Sequence, residues 1–386
     1  MDLDAFTWLL TGPGQTLLAR AAQVRTQGDL RATDLLRREA SADHVAVALT
    51  QTALREKAAT KFGDLAARMY FTPDGLEQAT RLSVARHRAA RLNAFVTQTL
   101  IDLGCSIGGD LIANAEQGIT VAGVDLDPVR VAVARANLEA LGLPGAVAVA
   151  DATTVDTSPF SVAFADPARR GARGRVFNAD GWEPPWPFVE SLLARTSCVK
   201  VAPGIPHDLI PDGVEAEWVS DHGEVKEAAL WSGGLATVRR RATVLGDGGL
   251  ATVTEEDDPG ADVREVGGYL YEPDGAVIRA GLVTAVAAGV QGGLIDAQIA
   301  YVTSDSAFRT PFARGYRVIE ELPYREKQLK AALRERGIGR LTIKKRGVDI
   351  VPEALRKRLQ LNGPEEGTIV LTRVRDGGTC LLVEPL

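Results

Sequence analysis

A glycine-rich segment at residues 101–110 holds the side chains best suited to chemistry. Its apolar start predicts a strand that contains Asp102, and a turn with Gly104 and Gly108 follows. A second predicted strand ends in another carboxylate, Asp125. Glycines let the backbone approach a ligand closely, and a carboxylate after the next strand can accept hydrogen bonds from ribose hydroxyls. The spacing therefore predicts a nucleotide pocket.

The turn also indicates which nucleotide it would hold. A dinucleotide fingerprint places a further glycine at the position of Ser106. A pyrophosphate prefers bare N–H groups and helix N-termini, so a carboxylate such as Asp102 at the mouth of the turn disfavours it. Asp102 suits a ligand with a cationic end instead, such as the ammonium group of S-adenosyl-L-methionine.

Two further predicted strands also end in carboxylates. The run at 146–150 leads to Asp151, where an adenine amino group would lie, and the run at 162–165 leads to Asp166 and Pro167. A single aspartate at the end of a strand is usually a turn or N-cap residue. Four of them in order favour one shared site.

These four positions resemble the class I S-adenosylmethionine-dependent methyltransferases. That family carries acidic residues at the ends of its first three strands and an Asp/Asn-Pro-Pro-aromatic motif after the fourth when the acceptor is an amino nitrogen. The resemblance implies that Asp166 and the backbone carbonyl of Pro167 hold the acceptor amino group. It also implies a set of residues that bind S-adenosyl-L-methionine: Thr80, Asp102, Gly104, Gly108, Asp125 and Asp151. Thr80 belongs to this set because related enzymes place such a residue against the amino-acid end of the cofactor; it could equally lie on the polar face of a helix.

The chain departs from the family motif after Pro167. Ala168 replaces the second proline, and Arg169 replaces the aromatic residue. An arginine can still stack on a base or bind a phosphate. Together with Arg170 and Trp186, Arg169 predicts a surface for a single-stranded RNA base. The alternative is a stiff proline-rich loop whose tryptophans pack on the N-terminal region.

The pattern of apolar residues predicts three regions. Residues 1–95 have helical spacing, and residues 96–245 alternate strands with helices, as in a doubly wound parallel sheet. Strands at 224–231 and 236–245 predict a terminal hairpin, and the polar stretch 246–260 predicts a linker. Residues 261–386 form a mixed α/β region. The predicted fold is an α/β class I methyltransferase sheet with a helical N-terminal region and a C-terminal α/β domain.

The C-terminal region carries a second resemblance. Residues 322–330, 337–339 and 341–348 are similar to the THUMP-like domain of bacterial methyltransferases, whose central domain is related to the trimethylguanosine synthase group. THUMP domains bind RNA, so the resemblance implies an RNA partner, tRNA or rRNA. Lys344, Lys345 and Arg346 could contact its phosphates, or could form an ordinary solvated face.

Composition limits the function classes. The chain has 386 residues and a net charge of −6, yet residues 309–358 hold 15 Lys and Arg against 6 Asp and Glu, which predicts a basic appendage on an acidic body. The three cysteines and four histidines lack metal-ligand spacing, so we expect no metal. Without a signal peptide or an apolar run of membrane length, we expect a cytoplasmic protein with no membrane partner.

Other functions fit parts of the sequence. Uridine C5 methyltransferases carry a similar Asp-Pro motif and need a nucleophilic cysteine, for which Cys198 is the candidate, although its neighbours alternate like buried strand residues. A non-catalytic RNA-binding protein could retain the fold, as Ser106 and Ala168 would suggest. A methyltransferase with a substrate other than RNA is the third alternative.

Overall fold

The computed structural model describes residues 1–26, 28–169, 182–374 and 377–386. The chain divides into two compact units. The first, here called the N-terminal unit, contains Met1–Glu215 and Ala228–Thr237; the second, the C-terminal unit, contains Ala216–Glu227 and Val238–Leu386.

The N-terminal unit begins with six helices, all within the region that the apolar spacing predicts to be helical. They are α1 (Leu3–Leu9), α2 (Gly12–Arg25), α3 (Asp29–Leu36), α4 (Ala42–Phe62), α5 (Pro73–Gln78) and α6 (Leu82–Ala94). Four begin at side chains that accept a hydrogen bond from the first turn, namely Asp2, Thr11, Ser41 and Thr72. Such caps satisfy N–H groups that the helix itself leaves free. The apolar faces of these helices share one buried core with the sheet that follows.

Strands and helices then alternate along the chain. The elements are β1 (Thr99–Leu103), α7 (Gly109–Glu116), β2 (Thr120–Asp125), α8 (Pro128–Leu141), β3 (Ala146–Val149), β4 (Val162–Ala165), β5 (Ala168–Arg169), β6 (Trp182–Glu183), α9 (Trp186–Leu193) and β7 (Ser197–Val201). Within this unit the strand order is β3-β2-β1-β4-β7, all parallel. The next strands are β8 (Glu215–Asp221) and β9 (Glu224–Trp231), and residues Ala228–Trp231 of β9 run antiparallel to β7. The prediction of a doubly wound α/β sheet is confirmed.

Two local predictions at the end of this region were wrong. The strand β10 (Arg240–Gly246) does not form a hairpin with β9; it pairs in parallel with β8. The stretch 246–260 is not a linker, because β11 (Gly249–Thr254) pairs antiparallel with β10. Asp247-Gly248 forms the connection between them, and such dipeptides favour tight hairpin turns.

The C-terminal unit continues as a mixed α/β structure, as predicted. Its remaining elements are β12 (Tyr269–Pro273), α10 (Gly275–Ala280), α11 (Val283–Gly289), β13 (Gly293–Asp296), β14 (Ile299–Ser304), β15 (Ala313–Leu322), α12 (Glu326–Glu335), β16 (Ile338–Lys345), α13 (Pro352–Leu359), β17 (Glu365–Val374) and β18 (Gly377–Pro385). The sheet order is β13-β14-β12-β15-β18-β17-β16. Leu329 and Leu333 of α12, with Leu355 and Leu359 of α13, share a buried core with β16 and β17. In the ranges that the model describes, none of the helices has the length and hydropathy needed to cross a bilayer.

Candidate active site

A cavity of about 580 Å³ lies in the N-terminal unit at the carboxyl ends of the parallel strands. Open α/β sheets bind ligands at this edge because neighbouring strand ends meet there. Five of the six residues predicted to bind the cofactor line this cavity: Thr80, Asp102, Gly104, Asp125 and Asp151. The proposed catalytic carboxylate, Asp166, lines it as well. The structure therefore brings the strand-end carboxylates together.

Gly108 has a different role from the other predicted residues. It is the N-cap of α7 in a left-handed conformation, with φ of 83°. A Cβ atom added there would lie 3.2 Å from the Cβ of Ala134. Gly108 thus lets the glycine-rich turn pack against helix α8, and the neighbouring Gly109 lines the cavity.

Asp102 lies at the base of the cavity and is 2% exposed. Its Oδ1 atom is buried and has no hydrogen-bond partner among the described residues. Burial raises the pKa of Asp102 well above its ordinary value; the nearby carboxylates of Asp110, Asp166 and Asp125 raise it further, and Arg88 opposes them. A buried carboxylate oxygen without a partner, close to three other carboxylates, is a site for a cationic group.

Asp125 holds the glycine-rich turn in place. Its Oδ2 atom accepts a hydrogen bond of 3.0 Å from the backbone N–H of Ser106, and its Oδ1 atom accepts one of 2.9 Å from the N–H of Asp127. Each carboxylate oxygen has a second lone pair, which remains available to a ligand hydroxyl. The exposed side chain of Leu126 follows, and it adds an apolar surface to the cavity wall.

Asp151 lies at the exposed end of the cavity. It accepts hydrogen bonds from the backbone N–H of Thr153 at 2.9 Å and from the Thr153 hydroxyl at 2.7 Å. These bonds lower the pKa of Asp151, first through the backbone N–H and then through the hydroxyl. The carboxylate is therefore a fixed, ionised hydrogen-bond acceptor.

Asp166 follows strand β4 and is paired with Lys200, which no local sequence pattern connects with it. The Nζ atom of Lys200 donates to Asp166 Oδ2 at 2.5 Å and to Thr80 Oγ1 at 3.1 Å. The sheet register explains this contact, since Ala165 of β4 is opposite Val199 of β7. Asp166 and Lys200 are the next residues of those adjacent parallel strands. Pro167, which follows Asp166, is buried.

A second ion pair supports the opposite side of Thr80. The buried guanidinium of Arg88 donates to Asp110 Oδ1 at 2.6 Å and lies 4.8 Å from the centroid of the Phe164 ring. The Thr80 hydroxyl lies 3.5 Å from Asp110 Oδ2. Asp110 lines the cavity as well. A chain of hydrogen bonds thus runs from Arg88 through Asp110, Thr80 and Lys200 to Asp166.

The predicted substrate residues Arg169, Arg170 and Trp186 receive less support. Trp186 is 8% exposed at the start of α9, so its ring is not presented for stacking on a base. The backbone of Arg169 pairs with Trp182, while its side chain and all of Arg170 lie outside the described residues. Their proposed contacts with RNA stay predictions.

The three predicted RNA-binding residues of β16 and the turn after it do not form one surface. Lys344 Nζ donates to Glu272 Oε2 at 2.6 Å, and Arg346 lies 4.0 Å from Glu272 Oε1. Both cations also lie over tyrosine rings. Lys345, between them in sequence, is exposed. Because side chains alternate along a strand, Lys345 faces away from the cluster around Glu272.

Cys198 lies fully buried in β7, within the core of the N-terminal unit. A nucleophilic cysteine must be reached by its substrate, so this position does not support the uridine C5 alternative. Among the described residues, no three His, Cys, Asp or Glu side chains are grouped to hold a metal ion.

Comparison with known proteins gives two family matches. A model described as THUMP domain-like matches residues 313–385, which run from β15 to β18, and a model described as a domain of unknown function matches residues 2–58. The first match confirms the predicted THUMP-like domain.

Relatives and structures cover more of the chain. Proteins from two strains of Mycobacterium tuberculosis, both named as uncharacterized S-adenosylmethionine-dependent methyltransferases, are 41% identical over 340 residues, which is 84% of this chain and 92% of theirs. A crystal structure from Porphyromonas gingivalis W83, described as a candidate methyltransferase, has a TM-score of 0.77 at 22% identity and covers 96% of this chain and 98% of that one. The crystal structure shows a common fold, and the two mycobacterial relatives show the family to which the chain belongs.

Proposed function

This chain belongs to the S-adenosylmethionine-dependent methyltransferases, and on that premise we propose that it methylates a base of RNA, with an amino nitrogen as the acceptor. The observation that carries the amino-nitrogen proposal is the position of Asp166. It lines the same cavity as Asp102, one strand further along the sheet, and its Oδ2 atom accepts from Lys200. The cofactor and the acceptor would therefore meet at one sheet edge.

The residues of the cavity fit S-adenosyl-L-methionine. The unpartnered Oδ1 atom of Asp102 would accept from the ammonium group. Asp125 would accept from the ribose hydroxyls and Asp151 from the adenine amino group, while Leu126 would contact the adenine ring. When bound, the cofactor supplies a methyl group that is already activated on a sulfonium. The positive charge of the sulfonium is favoured by the carboxylates around Asp102.

The chain's own part in the reaction would be to position the acceptor. A carboxylate oxygen of Asp166 and the carbonyl of Pro167 would accept hydrogen bonds from the amino group and aim its lone pair at the methyl group. Lys200 holds the carboxylate of Asp166 in a fixed place. No nucleophilic side chain is required, which agrees with the burial of Cys198.

Binding of the cofactor is expected to release a proton from Asp102. Its pKa is raised above the ordinary value of 3.8, and a bound ammonium would lower it again by favouring the charged form. Affinity should therefore rise with pH above that ordinary value, until Asp102 is ionised in the free protein as well. Titration calorimetry in two buffers of different ionisation enthalpy should give different apparent enthalpies. Asp102→Asn should remove the difference between the buffers; if the difference persists, the proton comes from another group.

RNA as the substrate is supported by the THUMP-like match and by the basic residues within it. We place the main RNA contact on helices α12 and α13 and not on Lys344 and Arg346, while Lys345 stays a predicted contact. Lys330 donates to the Arg358 carbonyl at 3.1 Å, and Arg334 donates to the Gln360 carbonyl at 3.1 Å. A carbonyl carries no net charge, so these contacts orient the cations without neutralising them. Glu272, by contrast, neutralises part of the charge of Lys344 and Arg346.

Replacing Lys327 and Lys357 together with alanine should weaken RNA binding and reduce the slope of log affinity against log salt by roughly two, because two fewer phosphates lose their counterions. Both side chains are exposed on the two helices. Filter binding of total tRNA and rRNA over a range of salt concentrations would measure the slope. The matched control is Lys344→Ala with Arg346→Ala, which also removes two cations and should change the slope less. If the control changes it more, the RNA lies on the strand.

Transfer of labelled methyl groups tests the substrate class. RNA from a strain that lacks the gene, incubated with the purified full chain and methyl-labelled S-adenosylmethionine, should become labelled. Treatment with ribonuclease should abolish the labelled, acid-precipitable material. Label that remains after ribonuclease and disappears after protease would identify a protein substrate and contradict the proposal.

A further inference from the structure

One wall of the cofactor cavity is built from residues outside the parallel sheet. Gln78, Ala79 and Thr80 line the cavity where helix α5 ends. A short helix leaves its last carbonyl groups without partners inside the helix. Something else must fix the end of α5 if this wall is to keep its shape.

Lys61, near the end of helix α4, makes that contact. Its Nζ atom donates hydrogen bonds to the carbonyls of Leu76 at 2.9 Å, Glu77 at 2.7 Å and Ala79 at 2.8 Å. An ammonium group has three N–H donors, so all three are used. The positive charge also lies at the C-terminal end of α5, where the helix dipole favours a cation.

Helix α4 fixes the approach to α5 as well. The buried side-chain amide of Gln51 accepts from the N–H of Phe71 at 2.9 Å and donates to its carbonyl at 2.6 Å. One turn later, Arg55 donates to the carbonyl of Met69 at 2.8 Å. Three side chains of α4 therefore hold the backbone on both sides of α5.

On its other side, α5 lies against the glycine-rich turn. A Cβ atom added to Gly75 would lie 2.5 Å from the Cγ2 atom of Ile107, so this position requires glycine. The buried side chain of Asn137 accepts from the N–H of Tyr70 at 2.6 Å and donates to the carbonyl of Ile107 at 2.9 Å. The segment is thus clamped between α4 and the turn that follows β1.

We infer that Lys61 is a positioning residue of the cofactor site, which holds the wall formed by Gln78, Ala79 and Thr80. The helical N-terminal region is then part of the machinery that binds the cofactor, through α4. It acts through the backbone and not by touching the cofactor itself. Thr80 depends on this wall for its place between Asp110 and Lys200.

The test compares two lysines of the same helix. Lys61→Met keeps a long, unbranched side chain and removes all three donors. Lys57→Met removes the same charge one turn earlier, where the side chain is exposed. Titration calorimetry should give a dissociation constant for S-adenosylmethionine that is roughly tenfold larger in Lys61→Met and unchanged in Lys57→Met. Equal constants in the two variants would overturn the inference.

Hydrogen exchange separates positioning from general destabilisation. In Lys61→Met without cofactor, the amides of residues 78–80 should exchange faster, while those of strand β1 keep the wild-type rate. Lys61→Arg, which keeps the charge but spreads its donors over a planar group, should fall between wild type and Lys61→Met in affinity. It provides the same comparison if Lys61→Met melts too early for titration. Faster exchange across the whole sheet would show that Lys61 only stabilises the fold and would overturn the inference.

Discussion

Replacing Asp166 with alanine should lower the single-turnover rate of methyl transfer by roughly 10²–10³-fold, with the affinity for S-adenosylmethionine nearly unchanged. The proposed role explains the asymmetry. A carboxylate that only orients the acceptor amino group acts mainly in the transition state, so its loss lowers the rate more than ground-state binding. Rapid-quench measurements with labelled cofactor and excess folded enzyme would give the rate, and titration calorimetry the affinity.

The matched variant is Asp166→Asn. Its amide oxygen still accepts a hydrogen bond, whereas the charge that pairs with Lys200 is lost. We expect a rate between those of the wild type and the alanine variant. A normal rate per folded molecule in Asp166→Ala, together with a lower melting temperature, would show that Asp166 merely caps the turn before Pro167.

Asp102→Ala and Asp125→Ala should each weaken cofactor binding by tenfold or more. Loss of a hydrogen bond to a charged or buried partner costs on the order of 1.5–3 kcal/mol. The two losses differ in origin. Asp102 would lose a direct contact of its unpartnered Oδ1 atom, while Asp125 would also release the N–H of Ser106 and loosen the glycine-rich turn.

Calorimetry on both variants provides the measurement. The control is Asp156→Ala, which removes an exposed carboxylate that accepts from the N–H of Ser158 outside the cavity. Its dissociation constant should equal that of the wild type. If both Asp102→Ala and Asp125→Ala have the dissociation constant of the wild type, neither residue belongs to the cofactor site.

The strand-end carboxylates could be predicted from sequence because their arrangement follows from the fold. Parallel strands present their carboxyl ends at one edge, so Asp102, Asp125, Asp151 and Asp166 had to meet there once the alternation of strands and helices was recognised. The predicted fold class is confirmed for the same reason. The relation to the trimethylguanosine synthase group and the proposed domain limits stay predictions.

The partners of those carboxylates could not be predicted in the same way. The pair of Lys200 with Asp166 depends on which strand lies beside β4, and the pair of Arg88 with Asp110 depends on how α6 packs. Lys61 contacts backbone carbonyls, which every residue has, so the sequence does not show which residues they belong to. Such contacts join segments distant in sequence, and no local pattern records them.

The errors near residue 240 have a similar cause. Two strand-like runs with glycines between them predict a hairpin, but β10 instead extends the edge of β8. Local patterning shows that a segment is a strand and does not show which edge it joins. The dipeptide Asp247-Gly248 was the available signal for the next hairpin, because aspartate and glycine favour tight turns between antiparallel strands.

The most direct test of the proposed RNA methylation is mass spectrometry of nucleosides from tRNA and rRNA of a strain that lacks the gene. One nucleoside methylated on an amino nitrogen should be absent. The wild-type gene should restore it, and the gene for Asp166→Ala should not, although its protein accumulates in folded form. A nucleoside profile identical to that of the parent strain in both RNA classes would contradict the account.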